Sequence, residues 1–146
     1  MNRKQTWDHQ RMKYARDKTM EMKKYDPQVG DDYASYVNSL PAEILINGLG
    51  LALAQLRAAA KQQENDPHEL LYQHVQGWLC QDVPQTPYPK SMDLLEAIMK
   101  YDRRRYEWAI QETLAWLNWH KKFVNAYLKI RKEEDEDDEI SFSHLS

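Results

Sequence analysis

The chain has 146 residues, a length that fits one domain with a sizeable buried core. It contains five Trp and nine Tyr but only four Gly, and β-branched residues are scarce, so its composition favours helices over sheet. Cys80 is the sole cysteine, which excludes an internal disulfide, and basic residues stand where a signal peptide would have an apolar run. We therefore expect an all-α, cytoplasmic protein.

The net charge of −3 is unevenly distributed along the chain. Residues 1–24 and residues 100–131 each carry eight bases and three acids, whereas residues 132–146 carry one Lys and seven acids. Basic segments of this density indicate a polyanionic partner, although lysine-rich faces are often only solvated. The acidic segment cannot bury apolar area and should be disordered. We predict a single helical domain over residues 1–131, followed by an acidic disordered tail over residues 132–146.

The first third of the chain contains two predicted helices. One should run over about residues 4–25 and end at Asp26, because a residue that precedes proline is pushed out of helical dihedral angles. A second, short helix is predicted over about residues 30–38.

The central helix is predicted over about residues 40–63. Ser39 is its expected N-cap, and Pro41 fits the first turn of a helix. Gly48 and Gly50 would then lie inside the helix, where each glycine costs about 1 kcal/mol relative to alanine. We interpret at least one of them as the mark of a close contact between helices.

The second half of the chain begins with a strong helix start, Asp66-Pro67, in which the acid caps the helix and the proline takes its first position. Residues 83–89 should form a rigid, extended loop. Ser91 should cap a helix that ends near residue 100. Asp102 caps the last helix, to about residue 131, or the two helices are continuous with a bend. This pattern predicts a compact bundle of five or six helices.

Apolar side chains at helical spacing give the last helix a wide core face. One stripe consists of Ile110, Leu114, Leu117, Val124 and Leu128. The adjoining stripe consists of Ala109, Thr113, Trp116, His120, Phe123 and Tyr127.

Two helix faces combine basic and aromatic side chains, as a nucleic-acid groove requires: cations for the phosphates and rings for stacking. The face on the first helix consists of Lys4, Trp7, Arg11, Tyr14 and Lys18. The face on the last helix consists of Arg104, Trp108, Trp119 and Lys122. We predict that the five basic residues contact RNA and that the four aromatic residues form a partner interface. The alternative is that the aromatic rings pack on neighbouring helices and that the bases are solvated.

Signals of catalysis are poor. The five histidines are dispersed, and neither a HExxH nor a CxxC pattern is present. His74 and His120 fall on apolar helix faces and are predicted to be core residues. Cys80 is predicted to be a small buried apolar residue. We expect no catalytic residue, no metal and no cofactor, so that the chain binds and does not catalyse.

Residues 40–56 read LPAEILINGLGLALAQL, which resembles the signature LPA-x-I-x-x-NGLG-x-ALA-x-L. This signature belongs to the small-subunit family of the type III-B CRISPR effector complex, the Cmr complex. A weaker match lies at residues 10–15. Another lies at residues 112–123, a segment that looks like the closing helix of that family. The resemblance spans roughly residues 9–128.

The resemblance implies a non-catalytic small subunit of an RNA-guided antiviral defence complex. Such subunits stack as a filament beside the backbone subunits and help hold the target RNA along the guide. The implied partners are other Cmr subunits, copies of the chain itself, and guide and target RNA, with no membrane and no small-molecule substrate. Target cleavage belongs to the backbone subunit in such assemblies.

Two other classes of function stay open at this point. One is a helical protein–protein adaptor without nucleic-acid contact. The other is a small enzyme whose site forms between subunits. The acidic residues 133–139 follow a basic helix directly, so that they could occupy the domain's own basic face when RNA is absent, or act only as a solubility tail.

Overall fold

The computed structural model describes residues 5–130 and contains six helices and no strand in that span. The predicted all-α bundle is therefore confirmed, whereas Lys4 and the predicted tail at residues 132–146 lie outside the described residues. The helices are α1 (Trp7–Met22), α2 (Pro27–Asn47), α3 (Leu49–Ala60), α4 (Pro67–Leu79), α5 (Leu94–Lys100) and α6 (Arg103–Tyr127).

Helix α1 begins at Trp7, later than the predicted residue 4, because its start is fixed by a capping box. The Thr6 hydroxyl accepts a hydrogen bond from the His9 backbone N–H at 3.1 Å. The His9 Nδ1 atom accepts one from the Thr6 backbone N–H at 3.3 Å. Histidine here takes the place of the usual Glu or Gln of this motif.

Helix α2 runs without interruption through the segment where the sequence predicted a gap and a new start. Ser39 is not a cap, since its hydroxyl donates to the Ser35 carbonyl one turn earlier at 2.8 Å. Pro41 lies inside the helix, where it removes one helical hydrogen bond. The helix continues because Leu40 and Ile44, on either side of the proline, are buried in the core, so that tertiary packing offsets the local cost.

The predicted central helix is in fact broken at Gly48. Its N–H still donates to the Ile44 carbonyl at 2.8 Å, but its φ of +86° ends α2 and turns the chain into α3. L-residues with a side chain rarely adopt this conformation. The Tyr106 hydroxyl accepts from the Gly50 N–H at 2.9 Å and lies 3.4 Å from where a Cβ would stand at Gly48. The close approach predicted for this pair is present, and Tyr106 of α6 makes it.

The caps of the later helices agree with the sequence in two cases out of three. Asp66 caps α4 and Asp102 caps α6, so that α5 and α6 are separate helices. Helix α5 is capped by Asp93 and not by the predicted Ser91. Both carboxylates and hydroxyls serve as caps, so that only the backbone path decides between two such neighbours.

The proline-rich loop is compact and not extended as predicted. A parallel bridge joins Cys80 to Tyr88, whose N–H donates to the Leu79 carbonyl at 3.3 Å. The Thr86 hydroxyl donates to the Gln81 carbonyl at 2.8 Å. Tyr88 and Cys80 are buried, as predicted for the cysteine.

Helix α6 runs the length of the bundle, so that its first and last turns mark the two ends. The α2–α3 junction and the last turn of α5 lie at the end where α6 begins, around Tyr106. At the opposite end, the Ile130 N–H donates to Asp31 in the first turns of α2 at 3.0 Å. The core between the two ends is formed by residues from all six helices, among them Trp116, Tyr33, Tyr72, Met22, Leu40, Leu53 and Leu94.

Candidate nucleic-acid interface

The two basic helices predicted from the sequence lie side by side. Helix α1 packs along α6 in parallel orientation, as two contacts show. Near the start of α1, the Trp119 indole donates to Asp8 at 3.0 Å. Just beyond its end, the Lys23 ammonium lies 5.8 Å from the centre of the Tyr127 ring. The structure thus places the two basic helices next to each other.

The inner side of this helix pair is organised by Glu112, whose side chain is only 4% exposed. The Arg11 Nε atom donates to one carboxylate oxygen at 2.7 Å, and its Nη2 atom donates to the other at 2.9 Å. The indole N–H groups of Trp7 and Trp78 donate to the same carboxylate at 2.8 Å and 3.1 Å. We call Glu112 and these three donors the Glu112 cluster.

The Glu112 cluster explains what Arg11 and Trp7 do. Hydrogen bonds to Glu112 raise the pKa of Arg11 above its usual value. The Trp7 ring stacks on Trp78 at a centroid distance of 4.8 Å. The Trp7 ring therefore packs on a neighbouring helix, as the alternative held for the aromatic rings. Arg11 is not merely solvated, as that alternative held for the bases, because it pairs with the buried Glu112.

Tyr14 and Lys18 continue the same side of α1. The Tyr14 hydroxyl donates to the His74 carbonyl at 2.7 Å, and burial raises the pKa of Tyr14. The Lys18 ammonium lies 3.2 Å from Glu21 and 5.2 Å from the centre of the Tyr14 ring. The predicted face of α1 is therefore real, but it points largely towards α4 and α6.

The predicted residues of α6 are more open to solvent. Arg104 and Lys122 are exposed, and neither has an ion-pair partner among residues 5–130. Trp108 is 37% exposed and lines a shallow depression together with Arg104. Trp119 is half-buried because its ring edge is held by Asp8, and this hydrogen bond lowers the pKa of Asp8.

Trp119, Phe123 and Tyr127 form a ladder of three aromatic rings on α6, where this helix meets α1. Trp119 and Phe123 are nearly parallel, with 6.3 Å between ring centroids and 18° between planes. Phe123 and Tyr127 repeat this geometry at 6.4 Å and 14°. Tyr127 is 45% exposed, whereas the other two rings are half-buried. The spacing of four residues places all three rings on one side of α6.

Basic side chains border this ladder. Lys122 stands on α6, one residue before Phe123, and is exposed. On α1, Arg16 is exposed and lies two turns beyond Asp8 and seven residues before Lys23, hence on the side that faces the ladder. We call the three rings together with Arg16, Lys23 and Lys122 the α1–α6 seam.

Residues 7–127 match the family model described as CRISPR-associated protein (Cas_Cmr5). The match covers most of the chain. The chain belongs to this family. Members of this family are small subunits of type III-B CRISPR complexes, so the resemblance noted at residues 40–56 is confirmed. Family membership implies association with the other subunits of the Cmr effector complex.

For this Cmr small subunit, the sequence prediction missed four residues of the seam. Phe123 and Tyr127 were assigned to the core stripe, where their period fits, but they lie at its solvent edge. Arg16 and Lys23 were counted in the basic segment without being placed on a face. The spacing of four between the three rings was the available signal, and the packing of α1 decides which edge stays open.

The two predicted core histidines are buried and share one hydroxyl group. The His120 Nδ1 atom lies 3.1 Å from the Ala15 carbonyl, which only accepts, so we infer that Nδ1 carries the proton. The Nε2 atom then accepts from the Tyr33 hydroxyl at 2.7 Å, and that oxygen accepts from His74 Nδ1 at 2.6 Å. Burial lowers the pKa of both histidines to about 3.

Metal-binding clusters and membrane-spanning helices are absent from the described residues. Over residues 5–130, no three His, Cys, Asp or Glu side chains come close enough together to hold a metal ion. In the same span, none of the helices is sufficiently long and apolar to cross a membrane.

Proposed function

We propose that this Cmr small subunit helps hold the target RNA along the guide, in a stack of copies beside the backbone subunits, and contributes no catalytic group. The α1–α6 seam is the observation that carries the proposal. It combines three nearly parallel rings with three cations on one open side of the bundle. Trp108 and Arg104 lie on the same side of α6, about three and four turns before Trp119.

The chemistry of the seam suits a sequence-tolerant contact to RNA, through its phosphates and through bases that are not paired with the guide. Stacking of a base on an aromatic side chain contributes about 1–3 kcal/mol and tolerates any base. Lysine and arginine neutralise phosphates and release counterions, which gives affinity without sequence information. Guide–target pairing supplies the sequence specificity in such an assembly, so that a sequence-tolerant surface is what the small subunit needs.

The electrostatic part is tested with Arg16→Glu combined with Lys122→Glu in the assembled effector complex. Target-RNA capture is measured as a function of salt. Each phosphate contact contributes about 0.7 to the slope of log affinity against log salt for a single strand, so losing two should reduce the slope by about 1.4. Lys61→Glu, in the turn between α3 and α4, is the matched control. Equal slopes for the seam variant and the control would contradict the proposal.

The stacking part is tested with Tyr127→Ala and the matched variant Tyr127→Phe. The first removes the most exposed ring of the ladder and should weaken target capture by about 1–3 kcal/mol. The second keeps the ring and should bind as the unmodified complex does. If instead Tyr127→Ala subunits enter the complex poorly while the complexes that do form capture RNA normally, the seam is a protein interface, as the adaptor alternative holds.

A further inference from the structure

The end of the bundle where α6 begins carries a cluster of exposed apolar side chains. Leu45 and Ile46, in the last turn of α2, are 74% and 80% exposed. Leu51, in the first turn of α3, is 53% exposed, and Met99, near the end of α5, is 71% exposed. Single exposed apolar residues are ordinary, but a group of them marks an interaction site. We call these four residues the end patch.

Cations stand beside the end patch. Lys100 and Arg103 lie where α5 passes into α6, and both are exposed. Arg103 pairs with Glu107 at 3.1 Å, but both side chains are largely solvated, so that this bond contributes little and exchanges readily. Arg104 has no bonded partner among the described residues. A partner for this end must therefore offer both anionic and apolar groups.

The chain itself contains a segment of that chemistry beyond Ile130. Residues 133–139 are seven consecutive acids, and apolar residues follow at Ile140, Phe142 and Leu145. Acidic and apolar groups stand next to each other in this segment, as cations and apolar groups do at the end patch. No other stretch of the sequence combines so many acids with apolar residues directly after them.

Chain length decides which copy can supply the segment. Ile130 is held at the opposite end of the bundle by its hydrogen bond to Asp31. Helix α6 has 25 residues and is about 37 Å long. When fully extended, the nine residues from Ile130 to Glu139 span at most about 32 Å, and the fifteen residues to Leu145 span at most about 54 Å. The acids thus fall short of the copy's own cations at the start of α6, although Leu145 can reach its own patch, whereas a neighbour stacked end to end would present its Ile130 beside that patch.

We propose that residues 133–145 of one copy bind the end patch of the next copy, with the acids on Lys100, Arg103 and Arg104 and the apolar residues on the patch. The contact links unlike surfaces, so repeated copies form an open, head-to-tail row. It rests on the stacking of copies proposed above and involves none of the seam residues.

The test uses two full-length variants and their mixture, analysed by sedimentation velocity over a range of concentrations. The patch variant is Ile46→Asp, and the tail variant combines Ile140→Asp with Phe142→Asp. The unmodified protein should form species larger than dimers as its concentration rises, and each variant alone should stay monomeric. The mixture retains one intact contact, between the tail of the patch variant and the patch of the tail variant, and should stop at dimers.

Controls separate this inference from a loss of folding and from the RNA proposal. Val83→Asp changes an exposed apolar residue in the loop after α4 and should associate as the unmodified protein does. The seam variant with Arg16→Glu and Lys122→Glu should also associate normally. A mixture that remains monomeric overturns the inference, as does a tail variant that still forms large species. Either result leaves the RNA-capture experiment to decide the seam separately.

A photo-cross-linking side chain at position 142 distinguishes a neighbour's tail from the chain's own. Equal amounts of isotopically light and heavy full-length protein are mixed and irradiated, and the joined peptides are identified by mass. Links between light and heavy chains at residues 45–51 or 99–104 are expected. Links confined to one chain would show that the tail covers its own patch and would overturn the head-to-tail arrangement.

Discussion

Arg11 and Lys122 are basic residues near tryptophans on neighbouring helices, yet they occupy opposite environments. Arg11 places its guanidinium on Glu112 between two indoles, and its side chain is 23% exposed. Lys122 stands beside a ladder of rings and is exposed to solvent. The difference lies in one buried acid. A base beside aromatic rings is a binding residue only where no carboxylate from another helix reaches it first.

The comparison predicts that the charge of Glu112 is needed for the stability of the fold. Glu112→Gln removes the buried counter-charge of Arg11 and leaves only Asp8, whose exposed carboxylate lies 3.2 Å from the Arg11 Nη1 atom. Removing one partner of a buried pair is strongly destabilising. Because Arg11 is partly exposed, we expect a loss of about 3 kcal/mol in the free energy of unfolding, at the lower end of that range. Urea denaturation measures it. The exposed Glu107→Gln is the control, with an expected loss of about 0.5 kcal/mol or less.

Lowering the pH should destabilise the protein through its buried histidines and leave the charges of the seam unchanged. The unfolded state protonates its histidines below about pH 6.5, whereas His74 and His120 stay neutral in the fold down to about pH 3. The unfolded state thus binds more protons in this window, and the free energy of unfolding should fall by about 1.4 kcal/mol per pH unit for each histidine as the pH drops.

Denaturation curves from pH 7 to pH 4 test this pH dependence, with His74→Gln expected to have the shallower slope. The seam cations do not titrate in that range. A slope equal in both proteins would show that the buried histidines are not the cause.

A smaller effect distinguishes two tryptophans by their acceptors. Trp7→Phe removes an indole donor from the buried Glu112 carboxylate, and hydrogen bonds to charged groups contribute about 1.5–3 kcal/mol. Trp119→Phe removes a donor from the exposed Asp8, which should change stability by about 0.5 kcal/mol or less. Thermal melts of the two variants provide the measurement. Similar losses would mean that the two indole contacts are equivalent, against the comparison made here.

Substitutions of the two bases themselves should have opposite effects, one on the stability of the fold and the other on RNA binding. Arg11→Lys loses the paired donors to Glu112 but keeps the charge, so that it should destabilise the fold without changing the salt slope of target capture. Lys122→Gln should leave stability within about 0.5 kcal/mol and lower that slope by about 0.7. Measuring both quantities on both variants sharpens the comparison, and the opposite pattern would reverse the two roles.

Local signals in the sequence predicted the elements that depend on local physics. The caps at Asp66 and Asp102 needed only a carboxylate followed by a helix. His74 and His120 were placed in the core by helical spacing alone. Pro41 misled because local preference marks it as a helix start, whereas the burial of Leu40 and Ile44 carries the helix through it.

The candidate site was harder to predict, because it depends on how α1 is placed against α6. The contact between Arg11 and Glu112 joins residues 101 positions apart, and no local pattern fixes such a pair. The uneven charge distribution correctly indicated the two basic helices. Trp119 and Lys122, which were singled out from the sequence, are both members of the α1–α6 seam. Which rings stay open at its edge, Phe123 and Tyr127 in particular, follows only from the neighbouring helix.

The pairing of the first helix with the last has a consequence for synthesis on the ribosome. Until Glu112 has been made, 90 residues after the end of α1 at Met22, Trp7 has no carboxylate to bind and Arg11 has only the exposed Asp8. At about 5–20 residues per second, α1 waits roughly 5–18 s with its apolar side uncovered. Helices α2 to α4 pack among themselves in the meantime. The nascent chain therefore closes from its middle outwards, and its N-terminal helix docks among the last.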